Sequence, residues 1–130
     1  MTETTPDGAP PNLRDLRVYH EAQRYAAAVA NDVRTFPREE RFALADQLRR
    51  AASSVYANIA EGHARRSARE QWRFYDMARS SLIEARAHTD QALLRALFEA
   101  RVADELQTCA KHVSRLLAGL MRTVDPRAGP

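Results

Sequence analysis

The sequence predicts an all-α protein, an antiparallel up-down-up-down four-helix bundle. Three observations predict it. Alanine, leucine, arginine, glutamate and glutamine, all good helix formers, dominate the chain, and Pro37 is the single proline between Leu13 and Thr123. Strand signals are almost missing, since isoleucine occurs twice and no alternating apolar run exceeds a few residues. Apolar residues instead recur three or four apart in four successive stretches with short breaks, the pattern of helices around one core. A chain of 130 residues is long enough to bury such a core as one domain.

The elements follow in order. Residues 1–11 are polar, with three prolines and one glycine, and read as a disordered tail. Asn12 can cap a first helix, with Asp15 in its first turn where negative charge is favoured. That helix runs to about Thr35 and buries Leu16, Tyr19, Ala22, Ala26, Val29 and Val33. Phe36-Pro37 marks a corner, because proline suits a first helical position and restricts the residue before it. A second helix starts there, with Glu39 and Glu40 in its first turn, and extends to about Glu61. Its apolar stripe is Leu44, Leu48, Ala51, Val55 and Ile59, and Gly62 then suits the left-handed position just past a helix end. Ser67-x-x-Glu70 has the spacing of a capping box, which starts a third helix burying Tyr75, Ala78, Leu82, Ala85 and Leu93. No glycine or proline marks its end. A fourth helix presents Val102, Leu106, Cys109, Val113, Leu116, Leu120 and Val124, alternating by four and three. Residues 125–130 return to tail composition, so the bundle is expected over 12–124.

The net charge is +3, and 19 of the 20 basic residues are arginine, Lys111 being the exception. Arginine grips phosphate at two points and stacks on bases; a GC-rich coding sequence produces the same ratio without any such role. One cysteine excludes an internal disulfide, and Cys109 lies at helical spacing among Leu106, Val113 and Leu116, as a small core hydrophobe would. No apolar run approaches the roughly 20 residues of a membrane span, and no signal-peptide segment opens the chain. A cytoplasmic protein with no membrane partner is expected.

The strongest candidate site is a basic cluster. Between Arg49 and Arg73 stand six arginines (49, 50, 65, 66, 69 and 73) against two acids, Glu61 and Glu70. Arg65 and Arg66 lie in the turn before the third helix, whose positive N-terminal end itself attracts phosphate. Arg66, Arg69 and Arg73 are spaced to share one face, and Trp72 stands near enough to offer a stacking surface. The functional reading is a nucleic-acid phosphate site made of Arg50, Arg65, Arg66, Arg69 and Arg73. The alternative is a solvated face with Glu70 and Asp76 neutralising Arg73. Because helix neighbours point about 100° apart, Arg49 and Arg50 cannot both face one patch. At least one of them serves structure, pairing with Asp46 or a neighbouring subunit. Asn58 and Glu61, at i and i+3, are expected to hydrogen-bond the turn or the start of the third helix. With Gly62, Ser67 and Glu70 they make up the structural part of the motif.

Enzymatic and metal chemistry find no support. No glycine-rich phosphate loop, catalytic serine grouping or nuclease-like acid cluster is present. Glu84 with His88, and Cys109 with His112, each lack a second half that would complete a metal site. No catalytic residues, metal or cofactor are expected. Phe42, Trp72, Phe74, Met77, Ile83 and Leu94 fall off the main stripes, either completing the core or forming a subunit interface.

The runs Phe36-Pro37-Arg38-Glu39-Glu40-Arg41-Phe42, Gln47-Leu48-Arg49-Arg50-Ala51-Ala52 and Ser54-Val55-x-Ala57-Asn58-Ile59-Ala60-Glu61-Gly62 resemble one bacterial family. It comprises the four-helix bundle proteins encoded in 23S ribosomal RNA intervening sequences. Asp15-Leu16-Arg17-Val18-Tyr19 and Ala78-Arg79-Ser80-Ser81-Leu82-x-Glu84 fit the same pattern, and the resemblance spans about Leu13 to Thr123. Tyr56 stands where proline is common in that family, and Ala43 and Ser80 where glycine is common. The resemblance implies a short bundle, a turn between the last two helices around Ala96 to Ala100, assembly into a homopentameric ring, and an RNA partner rather than catalysis. It extends to the accessory protein of diversity-generating retroelements, which implies a reverse transcriptase as an alternative partner. A protein-interaction scaffold without a nucleic-acid role is the remaining expectation.

Overall fold

The computed structural model describes residues 12–13 and 16–127. Its helices are Arg17–Asp32 (α1), Leu44–His63 (α2), Ala68–Leu94 (α3) and Ala100–Thr123 (α4), with short 3-10 segments at Val33–Thr35 and Arg38–Glu40. No strand occurs among the described residues. α1 packs on α2 and α4, and α3 packs on the same two helices. Cross-helix contacts give the directions. Ser81 Oγ donates to Ser54 Oγ at 2.9 Å while the Tyr75 ring lies against Gly62, so α3 runs back along α2. Tyr19 and Tyr56 meet with ring centroids 6.3 Å apart, near the start of α1 and the end of α2. Phe36 and Phe98 meet at 4.8 Å, which sets the α1–α2 and α3–α4 connections at one end of the bundle. The α2–α3 turn lies at the other end with the C-terminal residues, where Arg127 reaches Trp72.

Small residues let the helices approach closely. Ala22, Ala52, Ala78, Ala85, Ala92 and Ala110 are fully buried, interleaved with Leu48, Val55, Ile59, Tyr75 and Val113. The α2 stripe is as expected. Along α4 the buried line is Ala103, Leu106, Ala110, Val113, Leu117 and Met121, while Val102, Cys109, Leu116, Leu120 and Val124 are half-buried. The expected stripe was thus one column to the side, because alanines face the closest neighbours and larger residues flank them. Tyr25 is fully buried although Tyr19 was expected inside. Burial pushes the Tyr25 phenol up to about 12, and its hydroxyl approaches Thr89 without a well-formed hydrogen bond. Leu93, expected in the core, is exposed; Thr89 and Ala92 fill its column.

Several boundaries move. α1 starts at Arg17, with Leu16 as its N-cap, rather than at Asn12. Asp15, the 1–11 tail and residues 128–130 of the second tail lie outside the described residues. α2 starts at Leu44 rather than beside Pro37. The reason is Glu40, buried between the two connections, which accepts from the Leu44 amide at 3.4 Å and from the Arg95 guanidinium. Those bonds hold the carboxyl below its usual range, the Arg95 contact first. Gly62 is not a left-handed cap. It sits inside α2, buried, where an added Cβ would come within 2.7 Å of the Tyr75 ring and 3.1 Å of Phe74 Cβ. The glycine is there for close approach of α3. The left-handed position falls on Ala96 (φ 59°), where Leu97 N–H bonds Ala92 O at 2.8 Å and Ala96 N–H bonds Leu93 O at 3.0 Å. That is a Schellman stop built without glycine, at the expected place.

Candidate nucleic-acid interface

The α2–α3 turn is short and tightly held. Ala64 N–H bonds Ala60 O at 3.2 Å, and Arg65 N–H bonds Gly62 O at 3.1 Å. Ser67 caps α3 by accepting from the Glu70 amide at 3.1 Å, the first half of the expected capping box. This geometry puts Arg65 and Arg66 beside the positive end of α3, with Arg69 and Arg73 in its first two turns.

The four arginines differ in state. Arg66, Arg69 and Arg73 are exposed, and none has an ion-pair partner among the described residues. Arg65 is half-buried, 3.0 Å from Glu61, with its guanidinium 4.5 Å from the centre of the Phe74 ring and its Nε shielded without a partner. Arg73 approaches the same ring at 5.1 Å. Phe74, which the sequence suggested only as surplus apolar surface, therefore orients two of the cations. Asp76, which with Glu70 would neutralise Arg73 if this were a solvated face, is instead bonded by Arg79 Nε at 3.0 Å. Trp72 is half-buried and has Arg127 5.5 Å from its ring, so one stacking face is already covered.

Arg50 is not part of this group. It pairs with Asp46 at 3.0 Å, and Arg49 pairs with the same carboxylate at 3.4 Å. At a rise of about 1.5 Å per residue, Arg50 lies roughly 20 Å down α2 from the turn. Asn58 also departs from expectation, bonding back to Ser54 O at 2.9 Å and Ser54 Oγ at 3.0 Å within its own helix. Glu61 does reach the turn, through Arg65. His88 and Glu84 approach at 3.3 Å, and no group of three or more metal-ligating side chains gathers among the described residues.

Charge divides by height. The half of the bundle at the α2–α3 turn (residues 17–24, 54–82 and 111–127) holds 11 Lys and Arg against 5 Asp and Glu. The other half (25–53 and 83–110) holds 8 against 9. The sequence cluster is thus one part of a basic end that also draws on α1 and α4.

These features define a small four-helix bundle with one strongly basic end. Residues 14–119 match the family of 23S rRNA-intervening sequence proteins, and the chain belongs to that family. Its fold is similar to the crystal structure of a protein of unknown function from the S23 ribosomal protein family of Bacteroides thetaiotaomicron. The TM-score is 0.75 at 16% identity, covering 80% of this chain and 97% of that one. No curated protein matches the chain. No helix among the described residues is long and apolar enough to cross a membrane.

Proposed function

We propose that this protein is a non-catalytic RNA-binding accessory protein of its family, holding phosphates with Arg65, Arg66, Arg69 and Arg73 and working as a ring of identical subunits. The observation that carries this reading is that Arg66, Arg69 and Arg73, at the N-terminal end of a 27-residue helix, have no ion-pair partner among the described residues. Solvated arginines on a structural face are commonly paired within the helix, as Arg79 and Arg101 are here. Ring assembly is supported by exposed Met77, Ile83 and Leu94 on α3, and would multiply the basic end into a multivalent surface.

Exposed Phe42 and Leu94, at the end remote from the arginines, favour a second reading in which a protein docks there. A reverse transcriptase is one such partner and a scaffolded complex another. The test is RNA binding across a salt series, wild type beside an Arg66→Glu/Arg69→Glu/Arg73→Glu variant. For single strands, log affinity falls with log salt at roughly −0.7 per phosphate neutralised. A steep slope that flattens in the variant is expected. Binding that is weak and unchanged by the substitutions would leave the scaffold reading in the lead.

A further inference from the structure

The basic end contains cations that the sequence cluster does not include. Taking 100° per residue, Lys111, Arg115 and Arg122 fall on one column of α4, on the opposite side of the solvent face from Cys109. Two sets of contacts orient that column. Gln107, close to the column, accepts from Arg86 Nε at 2.8 Å and donates to Asp90 at 3.0 Å, so this flank of α4 faces α3. Cys109, on the other flank, lies in the field of Glu21 and Arg24 of α1. Lys111, Arg115 and Arg122 are exposed, and none has an ion-pair partner among the described residues. On α3, the column containing Arg86 also contains Arg79 and Trp72, which therefore border the same groove.

We infer that the lower half of the α3–α4 groove is a second RNA-binding surface, continuous with the α2–α3 turn, on which a single strand runs from Arg69 and Arg122 towards Lys111. The inference rests on the RNA-binding reading above and adds a path to it. From Arg122 to Lys111 the column extends about 16 Å, at 1.5 Å per residue. Two adjacent helices about 8–10 Å apart offer a furrow suited to one backbone rather than a duplex. Asp76 and Asp125 are the acids on this stretch, and Arg79 and Arg127 already pair with them. The polar bridge of Arg86, Gln107 and Asp90 closes the furrow above Lys111, where the charge balance changes sign. The Trp72 ring at the lower end, with Arg127 over it, provides an aromatic–guanidinium stack against which a base can pack.

The experiment is anisotropy of a labelled 12-nucleotide oligouridylate against the full-length protein from low to moderate salt. Wild type is compared with Lys111→Gln/Arg115→Gln/Arg122→Gln, both checked for an unchanged helical melt. Loss of three contacts should flatten the salt slope by about 2, with affinity at the lowest salt falling at least tenfold. A variant that keeps the wild-type slope, while wild type binds steeply, overturns the groove and leaves the arginine turn intact. Wild type without salt-dependent binding overturns the RNA reading and the groove with it. Displacement of the RNA by polyglutamate at equal charge concentration from wild type, with the variant resistant, would assign the column to an acidic polypeptide and also overturn the inference.

Discussion

The two ends of the bundle differ in how many of their cations find a carboxylate: four of eight at the connection end, four of eleven at the turn end. At the connection end, half of the eight arginines are tied to carboxylates: Arg95 holds buried Glu40, Arg49 and Arg50 share Asp46, and Arg101 pairs with Glu105, while Arg34, Arg38 and Arg41 are exposed with no ion pair among the described residues. At the turn end, Arg66, Arg69, Arg73, Lys111, Arg115 and Arg122 stand exposed with no ion pair among the described residues. Unpaired like charges repel and contribute nothing to folding, so their crowding at one end calls for a polyanion or a function-neutral composition bias. A bias that swaps lysine for arginine acts on both ends alike. It does not explain why acids accompany the arginines at one end and are scarce at the other.

The largest effect should come from the packing that supports the basic end. Gly62→Ala places a methyl 2.7 Å from the buried Tyr75 ring and 3.1 Å from Phe74 Cβ. Overpacking of this kind costs about 1–3 kcal/mol, against about 1 kcal/mol of gained helix propensity. The net expectation is a melting temperature lower by roughly 5 °C. Because Phe74 lies between Arg65 and Arg73, the same shift should weaken RNA binding. Gly119→Ala is the control, since its added methyl meets only the Arg122 guanidinium at 3.7 Å. That variant should melt slightly higher, and parallel destabilisation of both would show that the Tyr75 contact is not the cause.

The connection end should respond to acid where the basic end does not. Glu40 has a folded pKa held below its ordinary value of 4.5, first by the Arg95 bond. Its contribution is therefore fully present above the ordinary value and is lost as pH falls through the lower folded one. Glu40→Gln should remove part of the stability lost between pH 5 and the acid limb, seen as a shallower dependence of melting temperature on pH. Neutralising Arg66, Arg69 and Arg73 should leave that dependence unchanged. Equal flattening in both variants would mean that the ends are not electrically distinct.

A smaller gain is available at the α3–α4 stop. Ala96 holds φ 59°, a conformation that costs an L-residue about 1–2 kcal/mol and glycine almost nothing. Part of that is offset by the greater freedom of glycine in the unfolded chain. Ala96→Gly should stabilise the protein by roughly 0.5–1 kcal/mol, read by urea denaturation. A neutral or negative result would show that the turn is not strained.

The stripes of α2 and the Ser67 cap were legible because helical spacing and capping geometry are local properties. Other features depended on partners distant in sequence. Gly62 looked like a helix stop until Tyr75 was seen across from it, and Ala103 and Ala110 looked neutral until the close approach of the helices made alanine the core residue. Ala96 gives no turn signal at all, since propensity rules assign its conformation to glycine. At the site, the arginines nearest one another in sequence were found readily. Arg50 lies about 20 Å down α2 from them and pairs with Asp46; closeness along the chain says nothing of height along a helix. The spacing of Lys111, Arg115 and Arg122 was visible throughout, but only the Gln107 contacts showed which way that column points.

Arg50 therefore supplies the finest test of the comparison. Like Arg66, Arg69 and Arg73 it is exposed, with 81% of its side chain accessible, and it differs from them in having a carboxylate partner and a position about 20 Å away. Arg50→Gln should leave the salt slope of RNA binding unchanged within error. Arg69→Gln, a substitution of the same size and charge, should lower it by about 0.7. Stability should reverse the order, because Arg50 and Asp46 form an exposed i,i+4 pair worth a few tenths of a kcal/mol and Arg69 forms none among the described residues. If Arg50→Gln reduced the slope as much as Arg69→Gln, RNA would extend along α2 and the connection end would not be the structural half of the molecule. If neither did, the unpaired arginines would be surface without a ligand, and their crowding would need another cause.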